Sequence, residues 1–113
     1  MGLSTGSRKI MIIPKSLEEI AHYIETEKTI LFFTADWCGD CVFIKPHLPE
    51  IVAEFPDFKF LQIDRDEYID LCQQWDVFGI PSFIAVNDGK EIGRFVSKDR
   101  KTKEEITNFL KTL

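Results

Sequence analysis

Only three cysteines and two histidines occur in the 113 residues. Three cysteines make at most one internal disulfide and leave one over, too few for the cross-linked framework of a small secreted domain. Positive charge is not in excess either: 14 Lys and Arg stand against 19 Asp and Glu, a net charge of -5. With no basic face, nucleic acid and anionic membrane are poor candidates for a main partner. The one basic cluster, KDRKTK at Lys98–Lys103, reads as a solvated loop and helix start. No apolar run approaches the length of a membrane span. The opening MGLSTGSRK is polar, IMIIP is too short for a leader core, and Gly6 stands where a myristoylation signal wants Ser or Thr. The expectation is therefore a chain without leader or anchor, in a reducing compartment, the cytoplasm.

What the chain does have is core material: 44% hydrophobic residues, among them ten Phe and two Trp. That is enough for one domain with its own core. Residues 1–9 read as a flexible tail and 10–113 as a single domain, with no repeat or linker. Arg8–Pro14 reads as a short strand. Ser16, with Glu19 three residues on, opens an amphipathic helix carrying Leu17, Ile20, Ala21 and Ile24. Thr29–Ala35 is a continuous run of β-branched and aromatic residues, the pattern of a strand covered on both faces. Val42, Ile44, Leu48, Ile51, Val52 and Phe55 give a helical stripe that Pro46 should kink. Asp57–Asp64 alternates as a strand, and Asp66–Trp75 reads as a short helix. Ser82–Val86 and Lys90–Val96 flank Asn87-Asp88-Gly89, a hairpin signal. Thr102 and Glu105 cap a last helix. The order β-α-β-α-β-α-β-β-α predicts an α/β fold: a mixed central sheet of about five strands with helices on both faces.

Chemistry concentrates in ADWCGDCVFIKP, Ala35–Pro46. Cys38 and Cys41 stand two residues apart between a buried strand and a helix. Zinc would need more ligands: the chain offers one CxxC, a lone Cys72, and His22 and His47 far away in sequence. A structural disulfide closing so small a loop removes little chain entropy. Inert core thiols are a further reading, set against the polar residues around the pair. The reactive reading has a mechanism. Cys38 opens a helix, whose free N–H groups and partial positive charge stabilise a thiolate. Two thiols one helical turn apart make a reversible two-electron carrier that needs no bound cofactor or metal.

WCGDC, Lys45-Pro46 in the helix that follows, and Gly79-Ile80-Pro81-Ser82 before the hairpin resemble the thioredoxin family, over nearly the whole chain after the first nine or so residues. The resemblance implies a thioredoxin-like fold, with Cys38 as the exposed nucleophile and Cys41 as the resolving thiol. It implies a cis Ile80–Pro81 bond that leaves the Ile80 backbone free to pair with an extended substrate. Trp37, Gly39, Ile80, Pro81 and Ser97 are then the substrate-binding positions. The implied activity is reduction of disulfides in protein substrates by a monomer, with electrons from an NADPH-dependent thioredoxin reductase. Two other readings stay open: a thiol oxidase or isomerase of the same fold, and a binding module with incidental redox activity.

Three positions depart from the family pattern. Asp40 replaces Pro. Phe32, six residues before Cys38, stands where a buried Asp is usual. Ser97-Lys98 stand where a Gly is usual, in a loop that looks slightly long. Asp40 suits the first turn of a helix by its sign alone. A negative charge there also opposes the Cys38 thiolate and raises its pKa, which favours a reducing protein over an oxidising one. With Phe32 in place of the acid, proton transfer to Cys41 falls to Asp40 or to water. Cys72 reads as a core thiol, or else as a regulatory or dimer-forming one.

Overall fold

The computed structural model describes residues 11–113. Its helices are α1 (Leu17–Thr26), α2 (Gly39–Ile44), α3 (Leu48–Glu54), α4 (Ile69–Gln74) and α5 (Lys103–Lys111), and its strands are β1 (Thr29–Thr34), β2 (Lys59–Asp64), β3 (Ser82–Asn87) and β4 (Lys90–Phe95). The sheet runs β2-β1-β3-β4. β1 pairs parallel to β2 and antiparallel to β3, and β3 antiparallel to β4. The described residues thus form four strands where about five were expected. Of the first expected strand, the described residues 11–14 show one bridge, Ile12 to Leu61. Ile12 donates to the Phe60 carbonyl and accepts from the Gln62 N–H, both at 2.8 Å. Beyond it Ile13 is exposed and Pro14 has no N–H to give. Arg8–Ile10 and the proposed tail lie outside the described residues.

Alternation along the strands feeds two cores. Leu31 and Phe33 of β1 join Leu61, Ile63, Ile84, Ile20 of α1 and Cys72 of α4. Ile30 and Phe32 face the other way, onto Phe60, Phe83, Ile44, Ile51 and, from α5, Ile106 and Leu110. Every residue of β1 is buried, as its unbroken apolar run requires.

Local chemistry sets the ends of the elements. The Ser16 Oγ accepts from the Glu19 N–H at 3.1 Å, while the Glu19 carboxylate takes the Lys15 N–H instead of closing the box. Thr102 and Glu105 do form the full reciprocal box on α5. At Pro46 the long helix breaks into a 3-10 turn, Lys45–His47, before α3 resumes. Asp88 and Gly89 both have positive φ, 54° and 76°, giving the tight turn the Asp-Gly pair is suited to. The helix expected at Asp66 starts only at Ile69. The Asp64 Oδ1 accepts from the N–H groups of Asp66 (2.8 Å) and Glu67 (3.3 Å), which holds those residues in a turn.

Candidate active site

The end of β1 delivers the pair. After Thr34 the chain turns, the Cys38 N–H donates to the Ala35 carbonyl at 3.2 Å, and α2 begins at Gly39 with Cys38 as its N-cap. Cys38 and Cys41 are joined as a disulfide with their Cα atoms 5.2 Å apart. The Cys41 N–H donates to the Cys38 Sγ at 3.1 Å, a bond that also stabilises a thiolate there. Cys38 keeps 7% of its surface exposed and Cys41 only 1%. Cys38 is therefore the more exposed residue of the two.

The second arm comes from the loop before β3. Ile80–Pro81 is cis. The Ile80 carbonyl oxygen lies 3.8 Å from the Cys38 Sγ, so Pro81 and the pair face each other across the site. The Ser82 hydroxyl donates to the Gly79 carbonyl at 2.6 Å and braces the turn. Gly79 is required by close approach: a Cβ there would collide with the Ser97 carbonyl and lie 2.7 Å from the Lys98 nitrogen. Ser97 thus meets the site through its backbone. A Cβ at Gly39 would meet nothing within 4 Å, so Gly39 leaves open space at the surface.

Trp37 is 63% exposed, yet it is held. Its indole N–H donates to the Asp66 carboxylate at 2.7 Å, and the Arg65 guanidinium lies 5.7 Å from its ring centre. Asp66 acts on Trp37 from the very turn that displaced the start of α4. Phe32 is fully buried and stacks on its cross-strand partner Phe83, centroids 4.9 Å apart. The apolar pair fills the position where an acid was the alternative. Cys72 is buried and free. Burial pushes its thiol pKa up, with Asp64 and Asp66 adding to the rise and Arg65 opposing it. Among the described residues, no group of three or more His, Cys, Asp or Glu is disposed to hold a metal ion.

Two residues at the site escaped sequence reasoning. The Arg100 Nε lies 2.9 Å from the Asp40 Oδ1, so the acid between the cysteines is not a lone charge. Lys101, expected in a solvated loop, is buried at 1% exposure. Its ammonium donates to the Ser97 carbonyl (3.3 Å), the Ser97 Oγ (3.0 Å) and the Asp99 carbonyl (3.0 Å). Those acceptors replace water, which is what lets a lysine be buried. The only signal in the sequence was the run KDRKTK itself, and its composition matched a solvated loop.

At this strand-helix junction a cysteine pair able to pass between disulfide and dithiol faces the Ile80–Pro81 turn. Residues 12–112 match the family model described as Thioredoxin. Over 92 residues (81% of this chain, 67% of the other) the chain is 34% identical to thioredoxin H2-1 of Oryza sativa subsp. japonica. Over 79 residues (69% of this chain, 63% of the other) it is 39% identical to thioredoxin H-type 1 of Nicotiana tabacum. The chain thus spans about two thirds of the length of these relatives. The crystal structure of thioredoxin from Trypanosoma brucei brucei has the same fold, with a TM-score of 0.83, 24% identity, and coverage of 97% of this chain and 96% of that one. The chain belongs to the thioredoxin family.

Proposed function

We propose that this thioredoxin-family chain is a protein disulfide reductase in which Cys38 attacks and Cys41 resolves. The Cys38 thiolate attacks one sulfur of a substrate disulfide, forms a mixed disulfide and expels the other sulfur as a thiolate. The Cys41 thiolate then attacks the Cys38 Sγ, releases the second substrate thiolate and closes the Cys38–Cys41 disulfide. Two electrons pass to the substrate, and an NADPH-dependent thioredoxin reductase returns them. The observation that carries this reading is the disulfide whose more exposed residue, Cys38, has its Sγ 3.8 Å from the Ile80 carbonyl oxygen. The Ile80 backbone beside Pro81 suits an extended substrate segment, which would add to it as a strand does. Trp37, Gly39, Pro81 and Ser97 complete the docking face. Exposed Val42, Phe43 and Phe78 near the cysteines or the Pro81 turn favour a macromolecular partner.

The same reading covers Asp40 as a modulator of Cys38 ionisation, a monomeric state and cytoplasmic residence. No helix among the described residues is long and apolar enough to cross a membrane. The test is trapping. In Cys41→Ser protein, resolution is blocked, and a Cys38-linked mixed disulfide with a protein disulfide substrate should accumulate and dissolve on adding dithiothreitol. No adduct from Cys41→Ser, or an equal yield from Cys38→Ser, would overturn the assignment.

A further inference from the structure

The loop between β4 and α5 touches both arms of the site. At one end the Ser97 backbone packs against Gly79, the residue before Ile80. At the other, Arg100 reaches Asp40 between the cysteines at 2.9 Å, and its guanidinium lies 4.2 Å from the Phe43 ring centre. Buried Lys101 binds the Ser97 and Asp99 carbonyls from inside and stiffens the loop. The loop is therefore braced at the residue next to Arg100, and Arg100 spans the gap to α2.

We propose that Arg100 is a positioning residue of the active site: it holds and neutralises the Asp40 carboxylate, so that the ionisation of Cys38 responds to the ion pair and not to a free acid. The inference rests on the reading of Cys38 as the nucleophile. Asp40 alone opposes a thiolate two residues away. A guanidinium 2.9 Å from that carboxylate cancels much of its field at the sulfur. Asp40 in turn is what holds Arg100 there, since an arginine half exposed to solvent otherwise has only the Phe43 ring to rest on. The influence of Arg100 on Cys38 thus depends on Asp40 being present. The other charged groups around the site are Asp36 beside Trp37, the Arg65–Asp66 pair on the Trp37 ring, Lys45 beyond the end of α2, Lys98, Asp99 and Lys101 of the same loop, and Glu105 in the first turn of α5. None of these contacts the Asp40 carboxylate within ion-pair distance.

The experiment is the pH dependence of Cys38 alkylation by iodoacetamide in the reduced protein, with Cys72→Ala removing the third thiol and mass spectrometry locating the adduct. Arg100→Gln should raise the apparent Cys38 pKa by about half a unit, and Asp40→Asn should lower it by a similar amount. Made on top of Asp40→Asn, the Arg100→Gln change should shift it by less than about half as much, because the arginine is no longer held. Arg100→Lys, which keeps the charge, should restore most of the unmodified value, and high salt should shrink every difference. A shift of equal size in both backgrounds, or none from Arg100→Gln, would overturn the proposal. Disulfide reduction by the unmodified chain is assayed alongside. Its absence with the conditional shift intact refutes the reductase reading alone, and its presence without the conditional shift refutes the Arg100 proposal alone.

Discussion

The Lys101 ammonium lies 3.0 Å from the Ser97 hydroxyl and 3.3 Å from the Ser97 carbonyl, deep enough that the side chain sees almost no solvent. Desolvation lowers its pKa from the ordinary lysine value, while Asp99, Glu105 and Asp40 work the other way. Lys101→Met keeps most of the apolar stem and removes the donors from two loop carbonyls. It should cost about 1–3 kcal/mol in urea unfolding and weaken disulfide reduction mainly through KM, as the loop beside Gly79 loosens. Unchanged stability would mean that water takes over the three acceptors.

Gly79→Ala asks the Ser97 backbone to move. A Cβ there collides with the carbonyl of one residue and the nitrogen of the next, both main-chain atoms that cannot swing aside. The change should cost about 1–3 kcal/mol of stability and lower kcat/KM by displacing Ile80. Gly39→Ala meets nothing in the chain and should leave stability nearly unchanged, so any loss of activity there reports on the substrate side.

Phe32→Asp tests what a carboxyl would do at the centre of β1. It would place a carboxyl where Phe32 now stacks on Phe83 within the apolar cluster that holds Phe60, Ile44 and Ile106. The loss of the ring alone should cost about 3–5 kcal/mol, and an unpaired buried acid adds to that. Chemical denaturation checks it. A stability close to that of the parent chain would mean that the site tolerates an acid after all.

Much of this was legible in the sequence because it rests on short-range chemistry. The apolar run of β1, the Asn87-Asp88-Gly89 turn, the kink at Pro46 and the Thr102–Glu105 box each depend on neighbours a few residues apart, and each is where the pattern put it. The pair Cys38 and Cys41 was readable for the same reason. What was not readable is long-range or competes with a local pattern. The late start of α4 comes from the Asp64 side chain capturing two N–H groups that a helix pattern does not foresee. Arg100 meets Asp40 across sixty residues, and Lys101 is buried through acceptors set by the loop's own backbone path. Neither relation leaves a spacing in the sequence to find.

Alkaline pH should weaken the fold through Cys72. Its thiol pKa is raised in the folded chain, chiefly by burial, so above the ordinary thiol range the unfolded chain loses a proton that the folded one keeps. The folded state then binds more protons, and stability falls as pH rises through that window. Cys72→Ala should flatten this part of the stability–pH curve, measured by urea unfolding of the reduced protein. An identical slope in that variant would assign the alkaline loss to other groups.

The reduction potential of the Cys38–Cys41 couple tests the reductase account most directly. Cys72→Ala protein is equilibrated in thiol–disulfide buffers and the free thiols are trapped. The account predicts a value of about -250 mV or lower, in the range of thioredoxin and the cytosolic pool. A value well above roughly -200 mV, towards the disulfide isomerases, would contradict it and give the pair an oxidising or isomerising role.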